Sequence, residues 1–137
     1  MSQIFDWLYL GDMQNATNNE WLKANNIQAI INATPDLYEC DISRLNVPVK
    51  DHPLADIGKY LPLCHTFLCL NRDLNKKVLV HCRMGISRST TIIIYYLMKE
   101  FKIQCIDALN MIRKIRPIVD PNSGFIQLLL KLDFNQI

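Results

Sequence analysis

The sequence predicts an α/β fold with a mainly parallel central sheet flanked by helices. Three observations carry this. The runs at 27–32 and 78–81 are short, nearly continuous and apolar, without the polar alternation of a half-exposed strand. Such runs suit strands buried on both faces, as parallel strands are. Strand-like runs alternate with segments of helical length and period through most of the chain, the pattern that builds a parallel sheet covered by helices. Finally, Val78-Leu-Val-His81 leads through a short loop holding Gly85 into Thr90-Ile-Ile-Ile-Tyr-Tyr-Leu-Met-Lys-Glu, which has no helix breaker. In such sheets ligands bind beyond the carboxyl ends of strands, and Cys82 stands at one.

Taken in order, residues 3–10 are short, aromatic and apolar, bounded by Gly11-Asp12, and predict one or two edge strands. Thr17-Asn-Asn-Glu20 has the spacing of a capping box, with Thr17 as N-cap and a helix running to about Asn25. The strand at 27–32 ends at Thr34-Pro35-Asp36. Residues 36–46 carry no clear pattern. A short strand is expected at 45–49, placed near an edge or strand end by Pro48. Helical period returns over 57–70, with Pro62 in the first turn. A polar turn at 71–77 precedes the central strand. Helices are expected at 88–101 and at 107–115, the second stopped before Pro117. A last helix, opened by Asn122 or Gly124, carries Phe125, Leu128, Leu129 and Leu132 on one side.

The chain has 137 residues, enough for one domain with its own core and no disulfide or metal staple, and no internal repeat or linker divides it. A formal charge of +2 is too small to argue for nucleic acid or an anionic membrane. Asp6 and Tyr9 interrupt the only apolar start, so no secretory leader is expected, and no apolar run is long enough to span a bilayer. Neither Met1-Ser2 nor the final Asn-Gln-Ile fits a lipidation motif. Five cysteines is an odd count, and with no leader they are expected to be reduced thiols in a cytosolic or nuclear compartment. Cys64-His65-x3-Cys69 and His81-Cys82 fit no Cys-x2-Cys or His-x3-His pattern, so no metal and no cofactor is expected. Cys64, Cys69 and Cys105 are expected to be small core hydrophobes.

The chemistry concentrates at Cys82-Arg-Met-Gly-Ile-Ser-Arg88. A strand, a tight loop with Gly85 and a helix N-terminus together aim backbone N–H groups and a positive dipole end at one point. That field suits an anion. It also lowers a thiol pKa, which makes Cys82 a nucleophilic thiolate near neutral pH. Arg88 has the planar fork to hold two oxygens of a phosphate. The amides of Arg83, Met84, Gly85, Ile86, Ser87 and Arg88 form the expected phosphate cradle. Met84 is placed at its lip, Ser87 as a loop-shaping residue, and the Arg83 side chain in solvent. His81 precedes Cys82 on a strand, so it should face away from the phosphate. Ser89 is positioned to donate a hydrogen bond to the Cys82 sulfur, or to cap the first helical turn.

These residues carry a family resemblance. The stretch resembles the His-Cys-x5-Arg-Ser/Thr signature of the protein tyrosine phosphatase superfamily, and its Gly-x-Ser-Arg-Ser ending that of the dual-specificity branch, small atypical type. Val49-Lys-Asp-His-Pro-Leu-Ala-Asp-Ile57 is similar to the family's general-acid loop. Arg116-Pro-Ile-Val-Asp-Pro-Asn-Ser-Gly-Phe125 is similar to the segment after its catalytic helix pair, and Leu8-Tyr-Leu-Gly11 to its first strand. The resemblance implies a protein tyrosine phosphatase-like fold over 1–137 and a phosphocysteine intermediate on Cys82. It makes Asp51 the general acid, with Asp56 the second choice and more simply a helix N-cap. It also implies that His81 orients the loop and favours the thiolate, and that Asn122, at the least a helix N-cap, steadies the phosphate loop. His52 either tunes Asp51 or stands free. Arg113, Lys114 and Arg116 read as a solvated basic face, or as an attraction for phosphorylated partners.

No counterpart of a tyrosine recognition loop precedes Cys82, so a shallow pocket is expected. That pocket would admit phosphoserine, phosphothreonine and phosphotyrosine on protein substrates, in a monomer with no nucleic acid, membrane anchor or kinase-docking domain. Lysines inside the loop, a trait of phosphoinositide-directed relatives, are absent. A phosphoinositide, glycan or RNA 5′-phosphatase is the alternative, and a binding module without turnover the third reading.

Overall fold

The computed structural model describes residues 1–132 and Phe134, so the three C-terminal residues named above for lipidation lie outside the described part. Among the described residues, five strands form one sheet: β1 (Ser2–Phe5), β2 (Leu8–Gly11), β3 (Ile27–Asn32), β4 (Ser43–Asn46) and β5 (Lys77–His81). Their spatial order is β1-β2-β5-β3-β4. Only the β1–β2 pair is antiparallel; β2–β5, β5–β3 and β3–β4 are parallel. The mainly parallel α/β class is therefore the one observed. The central strand is the one that leads into Cys82.

Side-chain alternation divides the core between two faces. Leu8, Leu10, Ala29, Ile31, Val78 and Val80 point to one side, and Tyr9, Ile30 and Leu79 to the other. The second side is closed by α1 (Met13–Thr17) and α2 (Asn19–Ala24), through Ala16 and Leu22. The first is covered by α3 (Leu61–Asp73), α4 (Arg88–Phe101), α5 (Cys105–Ile115) and α6 (Ser123–Leu130). Helix α4 is the pillar of this layer: every residue from Arg88 to Met98 is buried. Its unbroken apolar run from Ile92 to Met98 suits a helix enclosed on all sides.

Several boundaries differ from expectation. Residues 3–10 give two strands, and only β1 is an edge, because β2 is paired on both sides. Thr17 is not an N-cap: it ends α1, with its hydroxyl donating to the Met13 carbonyl. Asp12 caps α1 in a capping box with Asn15, and Asn18 caps α2. Both are acceptors of the kind that N-caps favour, and Asn18 lies one residue beyond Thr17. The strand expected at 45–49 lies instead at Ser43–Asn46, since parallel pairing with β3 sets its limits and Pro48 cannot donate to a ladder. Helix α3 begins after a 3-10 turn at Gly58–Tyr60 and runs on to Asp73, three residues past the expected end. Helix α5 begins two residues early, at Cys105, after extended Gln104. Cys64 and Cys105 are buried as expected; Cys69 is only half-buried and makes polar contacts. Among the described residues no helix is long and apolar enough to cross a membrane.

Candidate active site

Between β5 and α4 the loop is shaped by what holds its carbonyls. Arg83 O accepts from Met13 N at 3.1 Å and Ile86 O from Asp120 N at 2.9 Å. Arg116 donates from Nε to Gly85 O at 2.9 Å and from its terminal NH2 group to Met84 O at 3.3 Å. Ser87 O accepts from Thr91 N at 2.9 Å and Thr91 Oγ1 at 2.8 Å. A trans peptide carries its C=O and N–H on opposite sides. Five carbonyls pinned outward thus turn the amides of Met84 to Arg88 into the loop, where they form a nest for an anion. Gly85 alone permits the bend: its φ is +67°, and a Cβ there would lie 2.7 Å from both the Arg116 guanidinium and the Gly11 carbonyl oxygen.

Cys82 sits inside this loop, buried, with Sγ 3.1 Å from Ser89 Oγ. Burial alone pushes its thiol up. The Ser89 hydroxyl, the backbone amides of Ser89 and Ile86 and the Arg88 guanidinium outweigh that, and hold the pKa below the usual thiol range. Arg88 is buried too. It donates from a terminal nitrogen to Val49 O at 2.9 Å, while its Nε is buried without a partner among the described residues. An unspent guanidinium donor beside a stabilised thiolate is a poor structural element, since a buried unmet N–H costs on the order of 1–3 kcal/mol. It is a good oxyanion ligand. The Arg83 side chain lies in solvent as expected, and Met84 is exposed too.

His81 faces the opposite side of the sheet. It is fully buried, with one ring nitrogen 2.7 Å from Tyr38 Oη and the other 3.1 Å from Cys82 O. A carbonyl only accepts, so Nδ1 carries the proton and Nε2 accepts from the tyrosine hydroxyl. Burial lowers the His81 pKa to about 4. The ring is therefore neutral at physiological pH; it holds the Cys82 carbonyl through Nδ1–H and brings no charge to the loop.

Asn122 joins the other parts. It caps α6 through Phe125 N, its backbone N donates to Ser87 Oγ at 2.9 Å, and its side-chain amide donates to Asp51 Oδ1 at 2.9 Å. The Asp51 carboxylate, exposed on its own loop, is thereby held next to the phosphate-type cradle. The approach is close: a Cβ on Gly124 would stand 1.9 Å from the Pro53 carbonyl oxygen, so glycine is required there. Asp56 instead accepts from Lys59 N at 3.3 Å, opening the 3-10 turn as a cap would. His52 accepts from Leu54 N at 3.0 Å and shapes its own loop.

Arg116 corrects the sequence reading. It is no part of a solvated face: it is 9% exposed and braces two loop carbonyls and Ser2 Oγ. Nothing local signalled this, because it closes a basic run and its Gly85 partner lies 31 positions away. Arg116→Ala should cost about 2–4 kcal/mol, as charged donors to buried acceptors are lost. It should also raise the Cys82 pKa, with Arg116→Lys restoring only part of either. Thermal melts and pH-dependent alkylation check this; an unchanged thiol pKa in a folded Arg116→Ala would refute the bracing role.

The model of the dual specificity phosphatase catalytic domain matches residues 8–134. The chain belongs to that family. It is 37% identical over 133 residues to a protein phosphatase Slingshot homolog of Xenopus laevis, covering 92% of this chain and 19% of that protein. It is 37% identical over 131 residues to the dual specificity protein phosphatase Mpk3 of Drosophila melanogaster, covering 92% and 32%. The chain thus spans only a fifth to a third of these curated relatives. Among solved structures, that of DUSP15 superposes with a TM-score of 0.92 at 36% identity, covering 96% of this chain and 85% of that one. The human tyrosine phosphatase-like serine/threonine/tyrosine-interacting protein superposes at 0.87 with 27% identity, covering 94% and 92%. The protein tyrosine phosphatase-like fold expected from the sequence is the dual-specificity phosphatase fold seen here.

Proposed function

We propose that the chain is one catalytic domain that hydrolyses phosphotyrosine and phosphoserine or phosphothreonine esters of proteins, without a cofactor, through a phosphocysteine. The observation that supports this best is the Cys82 thiol held below its usual pKa inside a loop of inward amides, with a spare Arg88 N–H beside it. In the first step the Cys82 thiolate attacks phosphorus, an S–P bond forms and the ester O–P bond breaks. Protonated Asp51 gives its proton to the departing oxygen. The amides of residues 83–88 and the Arg88 fork carry the charge of the equatorial oxygens. Water then attacks phosphorus, Asp51 takes its proton, and the S–P electron pair returns to sulfur, eased by the Ser89 hydroxyl. His81 and Asn122 position and do not react. Five free cysteines fit work in a reducing, cytosolic compartment.

Asp51→Asn should cut kcat on alkyl phosphates roughly 10²–10³-fold, with a smaller loss on aryl phosphates whose leaving groups need no proton. Because Asp51 gives its proton to the departing oxygen in the first step, the loss should grow as the leaving group becomes more basic. If Asp56→Asn does this and Asp51→Asn does not, the acid is Asp56.

A lipid, glycan or RNA 5′-phosphatase would use the same loop, but Arg83 is the only cation between Cys82 and Arg88. A phosphopeptide panel run against soluble phosphoinositides separates the readings; faster turnover of the lipids would overturn the choice. Intact Cys82, Arg88, Ser89 and Asp51 weigh against a binder without turnover.

A further inference from the structure

On the helical layer, away from the phosphate loop, His65 and Cys69 sit one turn apart on α3 and so share a face. Glu100, near the end of α4, meets them. Glu100 Oε1 lies 2.8 Å from His65 Nε2 and 3.1 Å from Cys69 Sγ, and Sγ is 3.5 Å from that same Nε2. One atom from each residue falls within a 4.8 Å set. We propose that His65, Cys69 and Glu100 bind a zinc-class divalent cation, with water as the fourth ligand.

The donor set of one imidazole, one thiolate and one carboxylate suits zinc, which is borderline-soft and tetrahedral. Bond lengths of about 2.0–2.3 Å put tetrahedral ligand atoms roughly 3.3–3.6 Å apart. The S–N edge already meets this, and the two edges to Glu100 need to open by about half an ångström. Arg72 donates to Glu100 Oε2 at 3.0 Å, which fixes the carboxylate and leaves Oε1 turned to the site. That is the usual outer support of a metal ligand. Arg72 is itself paired with Asp73 at 3.1 Å, so its charge is offset. The Tyr96 and Tyr95 rings hold the His65 imidazole, at 5.8 and 6.3 Å between centroids. Side-chain exposures of 13% for His65 and 27% for Glu100 leave a path for the ion and its water. Binding expels the Cys69 thiol proton to solvent, and the two anionic ligands then balance the cation. The ion would clip α3 to the end of α4. The sequence hid the site because the neighbouring Cys64 turns into the core, while the third ligand lies 31 positions beyond Cys69.

Cobalt(II) serves as the probe, since thiolate ligation gives a near-ultraviolet charge-transfer band. The full chain should show that band at one cobalt per protein, displaced by zinc. Cys82→Ser should keep it and Cys69→Ser should lose it. Glu100→Gln should bind cobalt at least about tenfold more weakly with the band retained, which serves should Cys69→Ser not fold. Absence of the band in the folded Cys82→Ser protein would overturn the proposal. So would a band that survives in Cys69→Ser, or unaltered affinity in Glu100→Gln.

Discussion

Cys82→Ser should lower phosphate release from an aryl phosphate by at least about 10⁴-fold, the scale seen when a covalent nucleophile is removed. Serine is close in size, and the site's hydrogen bonds come from the loop and Ser89, so the melting temperature should change little. What disappears is an anion: a hydroxyl in the same cradle stays protonated where the thiol does not. The variant should therefore still bind orthovanadate or phosphopeptide while turning neither over. The pH dependence follows with its sign. Activity needs the thiolate, so the rate falls on the acid side as Cys82 takes a proton, and the lowered pKa places that fall below the usual thiol range. Ser89→Ala removes a donor to the anion, so the pKa rises and the acid limb moves to higher pH. Iodoacetamide alkylation against pH reads this directly. An alkylation midpoint in the ordinary thiol range for the unaltered protein would refute the thiolate account, as would residual Cys82→Ser activity within a hundredfold of the parent.

Arg88→Lys should be nearly as damaging, with kcat/KM reduced by roughly 10³-fold or more and vanadate affinity falling in parallel. The guanidinium performs two tasks at once. One terminal nitrogen is spent on Val49 O at 2.9 Å, which ties the loop's arginine to the segment leading to Asp51. Its Nε is buried without a partner among the described residues. A lysine ammonium is a point charge on a flexible stem; it can keep the Val49 contact or reach the phosphate, but not both in one plane. The loss should appear in kcat and in binding together, because the same oxygens are held in ground and transition states. If Arg88→Lys turns over within about tenfold of the parent, the bidentate clamp is wrong and charge alone suffices.

How legible the protein was depended on the range of each interaction. The central strand, the helix at Arg88–Phe101 and the Cys82–Arg88 loop could be read directly, because apolar runs and backbone turns act over neighbouring residues. His81 facing away from the sulfur followed from strand alternation alone. Helix starts failed by a residue where two acceptors competed, as Thr17 and Asn18 did. The strand near Pro48 slipped because its register belongs to β3. Residues 36–46 carried no pattern because Tyr38 is placed by His81, 43 positions away.

The amino-acid sequence by itself determined the mainly parallel α/β class and the Cys82–Arg88 loop between strand and helix, since each is a matter of residue type at short spacing; the proposed nucleophile follows from that loop, and the proposed general acid from the family resemblance. Only the tertiary structure decided that Arg116 braces the loop, that Asn122 links Ser87 to Asp51, and that Glu100 joins His65 and Cys69. Those contacts join residues far apart in the chain. Their partners are chosen by how the helices pack on the sheet, which no local pattern records.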